Sequence, residues 1–117
     1  MDTKNSFESL EIWKESMQLC VQIYELMQNC RDFGFKDQIQ RAAVSVPSNI
    51  AEGFERQTNK EFIQFLFIAK GSCGEVRTHL YLAKALKYIE NETVNDFIER
   101  TKIISSKIQN FIKSRRK

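Results

Sequence analysis

The chain has 117 residues, 42% of them hydrophobic and 28% charged. This composition excludes a mainly disordered chain, and the length suits one domain whose core needs neither disulfide nor metal. The net charge of +3 is too small to demand a polyanionic partner by itself.

No apolar run approaches the roughly 20 residues of a membrane helix. The opening MDTKNSFESLE carries no apolar signal core, which predicts a cytoplasmic protein with no membrane partner. Cys20, Cys30 and Cys73 stand at unrelated spacings and predict free thiols in a reducing compartment. One Pro and four Gly leave few turn residues and favour helices. Charge is unevenly spread. Residues 1–30 hold two basic and five acidic groups, whereas residues 91–117 hold seven basic and three acidic ones.

Four helical segments are expected, over about 7–29, 35–54, 58–89 and 93–113, within a single domain spanning 1–117. The first carries Leu10, Trp13, Met17, Cys20, Tyr24 and Met27 on one face. Ile12, Leu19, Ile23 and Leu26 form an adjacent stripe. That surface is wider than one partner helix requires, so the helix is either deeply buried or touches another subunit. Gly34 suits a left-handed cap in the following turn. The second segment places Phe35, Ile39, Ala42, Ala43, Val46, Ile50 and Phe54 on one face. Pro47 lies inside the pattern and predicts a kink, with a break at Val46 as the alternative. Thr58-Asn59-Lys60-Glu61 reads as a capping box opening the third helix. Its Gly71 and Gly74 fall near one face, where another backbone would approach closely. Thr93-Val94-Asn95-Asp96 reads as the cap of the fourth helix. A basic tail over 113–117 is expected to fray. Short turns between amphipathic helices predict an all-α, antiparallel up-down-up-down four-helix bundle.

Little in the chain points to catalysis. His79 is the only histidine, lies where an exposed helical position is expected, and has no nucleophile elbow to serve. Cys73 and His79 are six apart with no C-x-x-C pair, so no metal or cofactor is expected. Gly71-Ser72-Cys73-Gly74 lacks the strand and the Lys-Ser/Thr of a phosphate loop. A polar stripe on the second helix is more unusual: Gln38, Arg41, Ser45, Ser48 or Asn49, Glu52 and Arg56. It reads either as a solvated face or as a hydrogen-bonded seam around Pro47, with the seam as the first reading. Ser45, Ser48 or Asn49 would satisfy the Ala43 carbonyl freed by Pro47, and Glu75 would pair with Arg41. The basic end comprises Lys102, Lys107, Lys113, Arg115, Arg116 and Lys117. It reads either as a solubilising tail or as a phosphate-binding patch. No base-reading motif accompanies it.

The run Gln38 to Phe54, with its SVPSNIAEGF core, resembles the signature of the four-helix bundle proteins linked to intervening sequences in bacterial 23S ribosomal RNA genes. Leu10-Glu11-Ile12-Trp13, Lys60-Glu61-Phe62, Phe65-Leu66, Ala69-Lys70-Gly71-Ser72 and Glu75 extend the match. The resemblance implies an antiparallel bundle, a homo-oligomer associated with a pentameric ring, and no enzyme activity. It also implies folding and assembly roles for Gln38, Arg41, Ser45, Pro47, Asn49, Glu52, Gly53 and Glu75. A related branch comprises accessory proteins of diversity-generating retroelements, which look like basic pentamers that bind nucleic acid. Two functions follow as expectations. The first is a non-enzymatic homo-oligomer meeting RNA or DNA through the basic C-terminal end. The alternative is a scaffold that holds another protein without touching nucleic acid. Steep salt dependence separates the two, because phosphate binding releases counterions and apolar docking does not.

Overall fold

The computed structural model describes residues 6–116. Apolar side chains recurring every three to four positions form four long helices: α1 (Glu11–Leu26), α2 (Phe33–Phe54), α3 (Asn59–Ala85) and α4 (Asn91–Arg115). A short 3-10 turn, Phe7–Ser9, precedes α1. With 27 residues at about 1.5 Å each, α3 nearly spans the 44 Å long axis of the molecule. The inward stripes meet in one core that includes Ile23, Ile39, Ile50, Leu66, Val76, Leu80 and Ile108, all fully buried.

Contacts across the helices fix their order. Ser45 meets Ser72 and Gln38 meets His79, so α2 and α3 run in opposite directions. Lys84 meets Asn95 and Lys70 meets Gln109, so α3 and α4 do as well. α1 packs on α2 and more thinly on α4, while α1 and α3 do not meet. The helices therefore sit at the corners of a square, with α1 and α3 on one diagonal.

The helix ends differ from the sequence expectation for local reasons. α1 starts at Glu11 and ends at Leu26, inside the expected 7–29. α2 starts at Phe33 because the Asp32 carboxylate accepts from the Phe35 amide at 3.2 Å. Gly34 thus lies within the first turn, and no described glycine has a positive φ. The same carboxylate accepts from the Tyr88 hydroxyl at 2.6 Å, tying the α1–α2 turn to the end of α3. Tyr88 and the Phe35 amide hold Asp32 below its usual carboxyl pKa. α2 is continuous through Pro47, so no break occurs at Val46.

Thr58 caps α3 as expected, accepting from the Glu61 amide at 3.1 Å. The Glu61 carboxylate accepts from the Thr58 hydroxyl at 3.0 Å rather than from the Thr58 amide. α3 ends at Ala85, short of the expected Ile89, through a Schellman motif: Tyr88 N–H donates to the Ala83 carbonyl and Lys87 N–H to that of Lys84. Lys87 takes φ 61° there, a left-handed conformation that glycine normally supplies. α4 begins two residues before Thr93, with Glu90 preceding it and no side-chain cap. The Thr93 cap is therefore not made.

Candidate nucleic-acid interface

The six basic residues expected near the C-terminus do not form one patch. Lys107 turns toward α1, donating to Glu15 at 2.7 Å and lying 3.5 Å from Glu11. Glu15 beside it raises the Lys107 pKa. Arg115 is occupied structurally: its Nε donates to Asn59 Oδ1 at 3.1 Å, and its carbonyl accepts from Asn59 Nδ2 at 2.7 Å. Its guanidinium lies 5.3 Å from the Phe62 ring and 5.8 Å from that of Phe111. The chain is therefore helical to Arg115 and pinned to the start of α3, where fraying was expected from residue 113. Arg116 sits 5.2 Å from the Phe67 ring and lines a groove of about 410 Å³ with Lys60 and Gln64. Lys113 is exposed, and Lys102 lies 4.0 Å from Glu99. Lys117 lies outside the described residues.

Sequence reasoning missed a set of cations along the α3–α4 seam. Lys70 donates to Gln109 Oε1 at 2.6 Å. Arg77 donates to Thr101 Oγ1 at 3.0 Å and to Ser105 Oγ at 2.8 Å. Lys84 donates to Asn95 Oδ1 at 2.9 Å. Every one of these partners is neutral. The seven-residue spacing of the three cations was visible in the sequence. The neutral character of what they face required the register of α4.

The polar stripe of α2 divides. Ser45, Asn49 and Ser72 form a seam, with Ser45 Oγ 2.8 Å from Ser72 Oγ and Asn49 Nδ2 donating to Ser45 Oγ at 2.9 Å. Asn49 also donates to the Ser45 carbonyl at 2.8 Å, not to that of Ala43. Arg41 and Glu52 face solvent. Arg41 pairs with Asp37 at 2.8 Å, not with Glu75, and Glu52 pairs with Arg56 at 2.8 Å. The Arg41 side chain is 79% exposed, and such a pair contributes little. Arg41→Ala is therefore expected to change the unfolding free energy by less than about 0.5 kcal/mol, checked by urea denaturation.

Gly53 is buried where α2 crosses α3: a Cβ there would lie 2.5 Å from Phe65 Cβ. Gly71 and Gly74 have nothing within 4 Å of such a position, so the close approach expected there does not occur within the chain. His79 is buried, not exposed. Its Nδ1 faces the Glu75 carbonyl, one turn back on α3, at 2.8 Å. Its Nε2 lies 3.1 Å from Gln38 Oε1, so one nitrogen bonds within α3 and the other joins α3 to α2. Cys73 is buried, and Cys20 and Cys30 are partly so. Burial raises the Cys20 and Cys73 thiol pKa values, which disfavours the nucleophilic thiolate. Among the described residues no three of His, Cys, Asp and Glu converge on a metal-sized site, and no helix is long and apolar enough to cross a membrane.

The outer surface carries apolar stripes on α1 and α3, besides single exposed apolar positions at Phe33, Val44, Tyr88 and Ile103. On α1, Met17, Val21 and Tyr24 are exposed. On α3, Phe67 and Ile68 are exposed in its first half and Tyr81 and Leu82 near its end, with Leu86 just beyond; Ile68 is at 50% and Leu82 at 45%.

No curated protein matches the chain. It is similar in structure to a protein of unknown function from the S23 ribosomal protein family of Bacteroides thetaiotaomicron. The TM-score is 0.82 at 25% identity, covering 87% of this chain and 98% of that one. Residues 8–110 match the model of the 23S rRNA-intervening sequence protein family. With the four-helix fold and the SVPSNIAEGF segment on α2, that match makes the chain a member of the 23S rRNA-intervening sequence protein family.

Proposed function

We propose that the protein is a non-enzymatic, cytoplasmic homo-oligomer that associates with RNA through its basic surface. The observation that carries assembly is the pair of exposed apolar stripes on α1 and α3. Surface of this kind marks an interaction site. The stripes differ and lie at diagonal corners, so copies join head to tail, an arrangement that closes into a ring when the rotation permits. A pentamer is the ring associated with the resemblance, and it would concentrate five times the +3 charge of each chain. The open sides of Gly71 and Gly74 on α3 admit a neighbour's helix closely.

RNA association draws on the basic balance of α4 and on the family's ribosomal RNA gene context. Arg116 and Lys113 at the C-terminal end, with Lys102 further along α4, remain its candidates. Lys107 and Arg115 are discounted by their structural contacts.

Light scattering on the nucleic-acid-free protein tests assembly: the expected mass is five times 13.8 kDa. Titration with labelled ribosomal-type RNA at several salt concentrations tests the partner. The expected result is binding that weakens steeply with salt. Assembly without RNA binding at low salt favours the second reading, a protein scaffold docking on the same apolar stripes.

A further inference from the structure

The α3–α4 seam carries two helical lines that run past each other in opposite directions. Lys70, Arg77 and Lys84 recur every seven residues on α3, as do Asn95, Lys102 and Gln109 on α4, with Arg116 next in the series just past its end. Lys84 meets Asn95 and Lys70 meets Gln109. Midway between those contacts, Arg77 and Lys102 fall level with each other. Five cations therefore line one seam, about 10 Å apart along α3 and about 20 Å apart on the α4 side, where Gln109 stands between Lys102 and Arg116.

Their partners are what distinguish them. Several cations elsewhere have carboxylate partners, as Lys107 has Glu15, Arg41 has Asp37 and Arg56 has Glu52, and others such as Lys14, Lys60 and Lys113 are in no ion pair. The three seam cations of α3 differ in being anchored by neutral side chains of the next helix. None of the ion pairs among the described residues involves Lys70, Arg77, Lys84 or Arg116, and Lys102 has only Glu99, at 4.0 Å. Neutral amide and hydroxyl acceptors hold the α3 cations in place without cancelling their charge. Each ammonium keeps two further donors, and the Arg77 guanidinium keeps donors as well. Adjacent like charges without compensation oppose folding, so the arrangement does little for the isolated bundle. It is suited to a ligand that brings regularly spaced negative charge.

We propose that the α3–α4 seam is a track for the sugar–phosphate backbone of RNA, held by Lys70, Arg77, Lys84, Lys102 and Arg116 without reading the bases. This rests on the RNA association proposed above and moves its centre from the C-terminal end to the length of the bundle. The half-buried stems and anchored head groups of Lys70, Arg77 and Lys84 lower the ordering cost of their contacts. Neutral partners also leave the track non-specific, because phosphate contacts position a nucleic acid without carrying sequence information.

The test is fluorescence anisotropy with a labelled 24-nucleotide single-stranded RNA between 25 and 200 mM salt. For four to five phosphates neutralised on a single strand, the slope of log K against log salt is expected near −3. Lys70→Gln with Lys84→Gln reduces its steepness by about 1.4 and weakens binding at 50 mM salt roughly tenfold. Lys70→Arg with Lys84→Arg retains both values and guards against an effect on folding. Lys36→Gln with Arg41→Gln removes the same charge from α2 and is expected to change the slope by less than about 0.5. If the wild type does not bind RNA at 25 mM salt, the RNA reading falls and the track with it. If it binds but the two Gln pairs lose affinity equally, RNA association stands and the seam is overturned as its site.

Discussion

Gly53→Ala lowers the unfolding free energy by about 1–3 kcal/mol, whereas Gly71→Ala raises it by up to about 1 kcal/mol. Both glycines are inside helices, so helix propensity alone favours alanine at each by about 1 kcal/mol. The difference lies in what surrounds them. At Gly53 a methyl group would stand 2.5 Å from Phe65 Cβ, 3.0 Å from Phe62 Cδ1 and 3.3 Å from the Phe62 carbonyl oxygen. A Cβ and a main-chain oxygen cannot swing aside as the end of a long side chain can. α2 and α3 must separate, and overpacking of this kind costs more than the propensity gain. At Gly71 the space is open within the single chain, so the gain is retained in the dissociated protein. Thermal unfolding at one fixed low protein concentration checks both, with a drop on the order of 5–10 °C for Gly53→Ala. A Gly53→Ala protein as stable as the wild type would mean that the close crossing of α2 and α3 is dispensable.

The second large effect concerns assembly. Ile68→Glu combined with Leu82→Glu is expected to reduce the protein to 13.8 kDa monomers with unchanged helix content. Both side chains are about half exposed in the single chain, so charges there remain hydrated and cost the fold little. Pressed against a neighbour's apolar stripe, two unpaired carboxylates would each lose several kcal/mol of hydration. That loss is enough to weaken association by a factor of 100 or more. Ile103→Glu on α4, at a side chain also about half exposed but outside both stripes, is expected to leave the mass unchanged. Light scattering and circular dichroism separate dissociation from unfolding. An unchanged mass for the double variant would remove α3 from the assembly surface.

The helices were legible because their signal repeats many times. Ile39, Ala42, Ala43, Val46 and Ile50 on α2, and Phe62, Leu66, Ala69, Cys73 and Val76 on α3, all fall in the core where their spacing puts them. Thr58 was legible as a cap because its partner is three residues away. Single-residue features that depend on distant neighbours were not. Thr93 has the chemistry of a cap, yet α4 starts at Asn91. The Schellman end of α3 rests on Lys87, a residue type that gives no hint of a left-handed turn. His79 looked exposed because its Gln38 partner is 41 positions away. Arg41 was assigned to Glu75 on another helix, but Asp37, one turn back, holds it. Among the basic residues, composition located the C-terminal excess. Only the packing of α4 against α1, which engages Lys107, and its register against α3, which engages Arg115, separate these two from Lys70, Arg77 and Lys84.

The thin contact between α1 and α4 bears on how the chain folds. α2 with α3, and α3 with α4, are neighbours in sequence joined by short turns, so their pairing closes small loops early and at low entropic cost. The α1–α4 contact, tied by Lys107 to Glu15 across 92 positions, is the most distant in the chain and the slightest of those made between the four long helices. Its slow closure carries little of the native energy, so the relative contact order stays low. Folding on the fast time scale of helical bundles follows.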